Sequence, residues 1–156
     1  MSLKKYQTKR SKGKTPEPFG IAKSGKEVFV VQEHHDQNLH WDFRLAFKES
    51  ASGRSGWVLK SWAIPKELPL ESGIKRLAVK TEDHPYQYKD FEGEIPKGEY
   101  GAGTVKIWDK GEYKVKEWNE NLIEVELLGQ KLKGMYVLVR PKGKFGKNNW
   151  LIFKKK

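Results

Sequence analysis

Short runs of apolar and β-branched residues, separated by turn residues, follow one another along most of the chain. The apolar positions recur with the two-residue period of strands more often than with the 3.6-residue period of helices. At most one helical turn is predicted, over residues 67–73. The predicted strands cover residues 27–33, 39–48, 56–64, 76–81, 104–108, 112–117, 123–128, 134–139 and 150–154.

Residues with turn chemistry separate these strands, as in Asp-Lys-Gly at 109–111, Asn-Glu-Asn at 119–121 and Pro-Lys-Gly at 141–143. A glycine-rich segment at 98–103 precedes a strand and no helix, so we interpret it as a turn or bulge and not as a dinucleotide-binding loop. Many short strands at close spacing favour an all-β sandwich or closed barrel over a parallel α/β sheet.

The chain of 156 residues has the size of one domain. Residues 1–20 are rich in Lys, Ser, Gly and Pro and lack apolar periodicity, which predicts a flexible basic arm before a domain over 21–156. The absence of cysteine excludes disulfides and thiolate metal sites and is typical of a reducing cytoplasm, where we expect the protein. No apolar run approaches the ~20 residues of a membrane span, and no signal segment follows the basic start.

Positive charge is concentrated at the two ends of the chain. Six Lys and Arg residues lie in 1–14 and seven in 139–156, without any acidic residue, whereas 15–138 carry 18 basic and 20 acidic residues. Basic ends around a nearly neutral body favour binding to a polyanion such as DNA through its phosphates, although solvated charge that aids solubility gives the same pattern.

The clearest strand, 39–48, carries the candidate chemistry. Trp41, Phe43 and other apolar residues alternate there with His40, Asp42 and Arg44, so a strand would bury one row of side chains and present an imidazole, a carboxylate and a guanidinium on the opposite face.

Two imidazoles and a carboxylate form a candidate metal site. His34 ends one predicted strand and His40 begins the next, which would bring both close to Asp42. Neutral imidazoles with one carboxylate bind divalent transition metals and leave positions open for substrate. The alternative is that these residues are ordinary polar groups on a solvated strand face.

Three further residues have a functional and a structural interpretation each. Arg44 suits a phosphoryl group, or else a carboxylate ion pair. His84, in a loop before Pro85, is a candidate general acid or anion ligand, or else a surface histidine. Lys60, in a mostly apolar strand, needs an anionic partner, either a substrate or a nearby Asp or Glu.

These residues leave two other functional classes open. His40, Asp42 and His84 also fit the two-histidine, one-carboxylate triad of non-haem iron oxygenases. A non-enzymatic nucleic-acid-binding β-barrel would use the basic ends for phosphates and exposed aromatic residues such as Trp118 or Trp150 for base stacking.

Three blocks together resemble the 3′-phosphoesterase domain of bacterial DNA ligase D and its stand-alone relatives. They are FVVQEHHDQNLHWDFRL at 29–45, LKSWAIPK at 59–66 and RLAVKTEDHPYQYKDFEGEIPKGEYGAGTVKIWD at 76–109. The resemblance implies a single compact, closed β-barrel of about eight strands with little helix. It also implies a manganese-dependent DNA-repair hydrolase that removes a 3′-terminal ribonucleoside and then the 3′-phosphate, leaving a 3′-hydroxyl.

The resemblance assigns roles to individual residues. The metal ligands are His34, His40 and Asp42, for Mn²⁺ with Co²⁺ or Zn²⁺ as alternatives. The phosphate contacts are Arg44, His84 and Tyr88, and three more positions belong to the site: Gln32, Lys60 and Glu82. The implied partners are DNA or RNA-tailed DNA 3′ ends and a separate ligase and polymerase of end joining.

The basic arm carries a weaker part of the resemblance. Arg10 and Glu17 match a segment that helps the family handle its substrate. Ser11 stands where an acidic residue is common, which weakens the expected contribution of the arm to the ribonucleoside step. Asp36 and Ala46 replace a usual alanine and glutamate, and neither is a ligand position.

Overall fold

Nine strands form one antiparallel sheet that closes on itself. The structure, a computed structural model, describes residues 3–9, 22–51, 54–143 and 145–156. The strands are β1 (Val28–His35), β2 (Leu39–Ala51), β3 (Arg54–Ile64), β4 (Lys75–Pro85), β5 (Gly93–Ile95), β6 (Gly103–Trp118), β7 (Leu122–Leu128), β8 (Lys133–Val139) and β9 (Asn149–Lys154). Their order in the sheet is β1-β2-β3-β4-β9-β8-β7-β6-β5, and a further pairing of β1 with β6 closes eight of them into a barrel. The predicted all-β barrel is therefore confirmed.

The barrel interior is filled by a hydrophobic core to which most of the strands contribute. β2 supplies Phe43 and Leu45, which are fully buried, and the same alternation places Trp62 of β3 and Ile152 of β9 inside. The interior of an eight-stranded barrel is just wide enough to be filled by such side chains. The polar residues that alternate with them, including the predicted site, therefore lie on the outer face.

Two short helices cover part of that outer face. Helix α1 (Leu3–Thr8) packs on β4, and a 3₁₀ helix (Tyr86–Asp90) follows β4 directly. Tyr6 and Tyr88 from these helices join Ala46 and Leu59 in a second, smaller hydrophobic cluster. The sequence pattern predicts neither helix, because both are too short to show a helical period.

Three details of the prediction are wrong. His84 lies within β4 and not in a loop. β6 runs unbroken through 109–111, where the sequence predicts a turn. Gly111 lets β6 pass close to β7, since a Cβ there would lie 2.2 Å from the carbonyl oxygen of Leu128. The predicted helical turn at 67–73 is not helical; the carbonyls of Glu67 and Pro69 instead accept hydrogen bonds from Arg76 Nε and the Tyr136 hydroxyl. No helix among the described residues is long and apolar enough to cross a bilayer.

Candidate active site

The hairpin of β1 and β2 brings the three predicted metal ligands together. Its register pairs His34 of β1 with His40 of β2, and Asp42 lies two residues after His40 on β2, on the same outer face. Asp42 Oδ2 lies 3.2 Å from His40 Nε2 and 3.6 Å from His34 Nδ1. One ligand atom from each of the three residues falls within 4.8 Å of the others, which is the arrangement that one metal ion requires.

A backbone carbonyl orients the first imidazole. His34 Nε2 lies 2.8 Å from the carbonyl oxygen of Gly101, in the loop before β6. Since a carbonyl can only accept, Nε2 carries the proton and Nδ1 is left with its lone pair towards Asp42. Hydrogen bonds of this kind fix the tautomer and the orientation of metal-binding histidines. Gly101 has a φ of +78°, a backbone conformation that favours glycine.

Electrostatics keep the carboxylate charged and favour protonation of one imidazole. Burial would raise the pKa of Asp42, but the Arg44 guanidinium, the nearby His34 and the hydrogen bond from His40 lower that pKa well below its usual range. Burial would lower the pKa of His40, but its hydrogen bond and charge interaction with Asp42 outweigh burial and raise it. In the protein without bound metal, each residue of this pair therefore favours the charged form of the other.

Arg44 is held rigidly beside the three ligands. Its Nε donates to Gln32 Oε1 at 2.6 Å, its Nη2 lies 3.4 Å from Asp42 Oδ2, and its guanidinium carbon is 4.9 Å from the centre of the Tyr88 ring. Gln32 in turn donates to the carbonyls of Tyr88 and Phe91, at 2.7 and 3.1 Å. Arg44 Nη1 is buried and has no hydrogen-bond partner among the residues that the structure describes. A buried cationic donor without a partner is a ready contact for a phosphate oxygen.

An irregularity in β4 places two more predicted residues at the site. The β3–β4 register shifts between Leu59 and Ser61, so that both Glu82 and His84 reach the outer face. Such bulges re-aim side chains next to active sites. His84 Nδ1 lies 3.0 Å from the carbonyl oxygen of Glu82, and the His84 ring packs edge-on against Tyr88, 4.8 Å between centroids.

Lys60 lies behind this irregularity rather than in the cavity. Its ammonium contacts Glu49 at 3.1 Å and the fully buried Asp83 at 2.9 Å. The sequence predicts either a substrate or a carboxylate as the partner of Lys60, and in the structure its partners are the carboxylates of Glu49 and Asp83. Lys80 lies 3.6 Å from the other oxygen of Asp83, and burial lowers the pKa of Lys80 to about 8 although Asp83 opposes that shift.

A cavity of about 290 Å³ joins these groups. It is lined by His34, Asp36, His40, Asp42, Arg44, Ala63, Thr81, Glu82, His84, Tyr88, Ile95, Tyr100 and Gly101. Of the predicted site residues, the three metal ligands and Arg44, Glu82, His84 and Tyr88 line it. Gln32 and Lys60 support it from neighbouring positions, and Arg10 and Glu17 lie outside the described residues.

Sequence reasoning missed the cavity wall formed by the loop before β6 and the contacts that Lys9 makes with the cavity lining. Tyr100 and Gly101 line the cavity, and Lys9 Nζ donates to both Glu82 and Tyr100 at 3.1 Å. The glycine-rich sequence at 98–103 is the only signal for this wall, and it predicts no more than a turn. That turn is present, with hydrogen bonds from Glu99 N to Pro96 O and from Ala102 N to Glu99 O.

The donor set fits a divalent transition metal, because two nitrogens and a carboxylate oxygen converge and the histidine tautomer leaves a lone pair for binding. Among the described residues, the third member of this group is His34 and not His84. The triad of His40, Asp42 and His84 that an iron oxygenase would need is therefore not formed.

Comparison with known proteins agrees with this site. A family model for the DNA ligase D 3′-phosphoesterase domain matches residues 32–140. The chain is 45% identical to the multifunctional non-homologous end joining protein LigD of Mycolicibacterium smegmatis, over 99% of this chain and 20% of the relative. It is 43% identical to the multifunctional non-homologous end joining DNA repair protein LigD of Mycobacterium tuberculosis, over 96% and 19%, and 39% identical to LigD of Pseudomonas aeruginosa, over 99% and 18%.

The chain thus spans about a fifth of the length of these curated relatives. The matched region contains every residue that lines the cavity. On this evidence, the chain belongs to the 3′-phosphoesterase domain family of DNA ligase D.

Proposed function

We propose that this protein is a manganese-dependent 3′-phosphodiesterase and 3′-phosphomonoesterase that repairs DNA ends. It removes a 3′-terminal ribonucleoside to leave a 3′-phosphate and then removes that phosphate to leave a 3′-hydroxyl. The observation that carries the proposal is the convergence of His34, His40 and Asp42 beside the unpartnered Nη1 of buried Arg44 in one cavity. Membership of a phosphoesterase family supports the same reaction class.

The metal would be held by His34 Nδ1, His40 Nε2 and Asp42 Oδ2. A bound Mn²⁺ supplies positive charge that polarises a phosphate oxygen and stabilises the charge of the transition state. Arg44 keeps Asp42 ionised and so keeps this donor set ready for a cation. The Gly101 carbonyl holds the His34 ring in the orientation that binding needs.

The other residues act on the phosphoryl group and the leaving group. Arg44 donates Nη1 to a non-bridging oxygen, and its plane is fixed by Gln32 and by the Tyr88 ring. The Tyr88 hydroxyl provides a second donor to the same group. A water attacks phosphorus, and the oxygen that leaves is the 5′-oxygen of the ribonucleoside in the first reaction and the 3′-oxygen of the primer in the second. His84 donates Nδ1–H to the Glu82 carbonyl, and in its doubly protonated form it gives the proton on Nε2 to this leaving oxygen.

Several features of the protein support DNA ends as its substrates. The basic ends of the chain favour phosphate contacts. The relatives are named as proteins of non-homologous end joining, and we place this chain in the same process. Strand sealing and synthesis would then come from a DNA ligase and a polymerase, on separate chains or on further parts of a longer one.

The test is incubation with a primer-template that ends in one ribonucleotide, and with a 3′-phosphate primer, each with Mn²⁺ or with EDTA. We expect 3′-phosphate and 3′-hydroxyl products with Mn²⁺ only. His40→Ala and Asp42→Ala should abolish both products, and His84→Ala should slow them by roughly 100-fold or more. The control is His35→Ala, because His35 is exposed and pairs with Glu33 outside the cavity.

Two outcomes would contradict the proposal. Salt-sensitive DNA binding that survives His40→Ala, without any Mn²⁺-dependent product, would indicate a non-enzymatic nucleic-acid-binding barrel. Full activity in excess chelator would remove the role of the metal.

A further inference from the structure

One aromatic side chain at the cavity is exposed. Tyr100 lines the cavity and is 49% exposed, whereas Tyr88, on the same cavity, is 2% exposed. An exposed tyrosine at the mouth of a site is a surface on which a flat, apolar group can stack. The proposed reaction gives Tyr100 no part, so its position needs another explanation.

The loop that carries Tyr100 is tied to the metal ligands. Turns close it on both sides of Glu99, and the neighbouring residue, Gly101, accepts the hydrogen bond from His34. The loop also carries Lys97, which is exposed. The position of the Tyr100 ring relative to the metal site is therefore set by the backbone of one short, well-bonded loop.

Lys9 supports the ring from the N-terminal side. Its ammonium lies 4.4 Å from the centre of the Tyr100 ring and 3.1 Å from the Tyr100 hydroxyl oxygen. The same ammonium is 3.1 Å from Glu82 on the opposite wall. Hydrogen bonds to Tyr100 and Glu82 raise the pKa of Lys9 despite the opposing effect of burial, so Lys9 stays charged at neutral pH.

We propose that Tyr100 is the stacking platform for the base of the 3′-terminal nucleotide, and that Lys9 is the positioning residue that supports it. This inference rests on the proposed function, since it assumes a 3′-phosphoryl group at Arg44. A phosphoryl group bound there leaves its sugar and base at the cavity mouth, beside the exposed part of the Tyr100 ring. Every base has a π face, so stacking serves all four 3′-terminal nucleotides alike.

The first test measures stacking without turnover. A 3′-phosphate primer with 2-aminopurine as its terminal base is titrated with protein in EDTA, and stacking on tyrosine quenches the fluorescence. We expect quenching with the wild type and with Tyr100→Phe, and none with Tyr100→Ala. The matched control is Phe145→Ala, which removes an aromatic side chain that is 39% exposed and lies outside the cavity lining. This variant should quench the fluorescence as the wild type does.

The second test separates binding from chemistry. In Mn²⁺, Tyr100→Ala should raise KM for a base-ended 3′-phosphate primer by at least about fivefold, with kcat little changed. A primer whose terminal 3′-phosphate sits on an abasic sugar should have the same KM with wild type and variant. Lys9→Met should raise KM in the same direction but less, and Lys9→Arg should restore it.

The results distinguish this inference from the proposed function. If quenching in EDTA and the KM ratio of base-ended to abasic primers are both unchanged in Tyr100→Ala, Tyr100 is not a platform. If the wild type releases no phosphate from any primer with Mn²⁺, the proposed function fails, while the quenching experiment still decides whether a base stacks on Tyr100.

Discussion

Gln32 connects three parts of the site with one side chain. Its oxygen accepts from Arg44 Nε, and its nitrogen donates to the carbonyls of Tyr88, within the 3₁₀ helix, and Phe91, just after it. Gln32 is fully buried. It therefore acts on substrate through Arg44 and Tyr88, as a positioning residue.

We predict that Gln32→Leu removes the acceptor of Arg44 Nε and the donor to the carbonyls of Tyr88 and Phe91, of which the Tyr88 carbonyl keeps its hydrogen bond from Phe91 N. The free energy of unfolding should fall by about 2–4 kcal/mol, and KM for a 3′-phosphate primer should rise because Arg44 loses its orientation. Mn²⁺ affinity should change little, since the side-chain hydrogen bonds of Gln32 within the described part of the chain go to Arg44, Tyr88 and Phe91 and not to the three candidate ligands. Urea unfolding and electron paramagnetic resonance of free Mn²⁺ measure these effects. Gln87→Leu, at an exposed position of the same helix, is the control, and equal stability of the two variants would contradict the prediction.

His40 gives the site a defined pH dependence. In the metal-free protein Asp42 raises the pKa of His40, so their pairing stabilises the fold fully below the ordinary imidazole pKa of about 6.5 and is lost as the pH rises through the raised value. A metal binds the neutral imidazole, so protons compete with it and Mn²⁺ affinity should fall as the pH drops through the same value.

NMR titration of the imidazole protons in EDTA checks this prediction. We expect the pKa of His40 to lie above the ordinary imidazole value of about 6.5 in the wild type and to drop in Asp42→Asn. A His40 pKa that is the same in wild type and Asp42→Asn would show that the carboxylate does not set it.

Local sequence predicted the convergence of the three candidate ligands but not the groups that support them. His34, His40 and Asp42 lie within nine residues on two strands of one hairpin, and the two-residue period alone puts them on one face. The supports come from far along the chain: Gly101 is 67 residues from His34, and Tyr88 is 56 residues from Gln32. No local pattern marks a backbone carbonyl as a partner.

At the scale of elements, β4 is the strand that shapes the site. Its irregularity turns Glu82 and His84 outward, while Asp83 between them points the other way, to Lys60 and Lys80. This buried charge cluster holds the strand in its irregular path. Lys60 therefore supports the position of His84 from behind.

We predict that Lys60→Met lowers both stability and kcat. It leaves Asp83 buried with only the more distant Lys80, which should cost about 2–4 kcal/mol of unfolding free energy. The displaced His84 should reduce kcat, with KM little changed, and Lys60→Arg should restore much of both. The control is Lys114→Met, at an exposed position of β6. A rise in KM with unchanged stability would instead indicate that the ammonium binds substrate.

The β6 strand shows why one predicted turn was wrong. Asp109 has the composition of a turn residue, but its carboxylate closes another turn, between β7 and β8. It accepts from the backbone nitrogens of Lys110 and Gln130 with one oxygen and of Lys131 and Leu132 with the other, at 2.8–3.0 Å. The sequence indicated a turn-forming residue correctly but not which turn it forms.

We predict that Asp109→Asn is destabilising without harming the site. An amide keeps one acceptor oxygen and turns an NH₂ group against two backbone donors, which should cost about 2–4 kcal/mol. Asp109 lies outside the cavity, so kcat and KM should stay near wild-type values at temperatures where the variant is folded. Thermal unfolding measures the stability and steady-state kinetics measure kcat and KM. The control is Asp90→Asn, at an exposed position.

At the scale of the whole molecule, barrel closure decides where the site can be. Because core side chains fill the interior, the candidate catalytic groups lie on the outer face of β1, β2 and β4. The sequence predicted both the all-β class and the polar row of β2. It did not show that α1 and the 3₁₀ helix cover that row, because the covering contacts are long-range and apolar.

Two pairs of lysines in different regions of the surface allow their contributions to DNA binding to be compared at equal net charge. We define the lysines of the cavity mouth as Lys9, which contacts the lining residues Glu82 and Tyr100, and Lys97, which is exposed in the loop that carries Tyr100. Lys114 and Lys116 lie on β6 at least ten residues beyond Thr104, or roughly 33 Å along the strand. Two double variants are compared: one combines Lys9→Ala with Lys97→Ala, and the other combines Lys114→Ala with Lys116→Ala. Each double variant reduces the net charge from +11 to +9.

If DNA ends bind at the cavity, only the first pair should change the salt dependence of binding. Removing one phosphate contact makes the slope of log K against log salt shallower by about 0.9 for duplex and about 0.7 for single-stranded DNA. Fluorescence anisotropy of a 3′-phosphate primer-template in EDTA, at several salt concentrations, gives the slopes. Equal slopes for the two double variants would mean that the general field of the protein, and not the lysines at the cavity mouth, governs DNA binding.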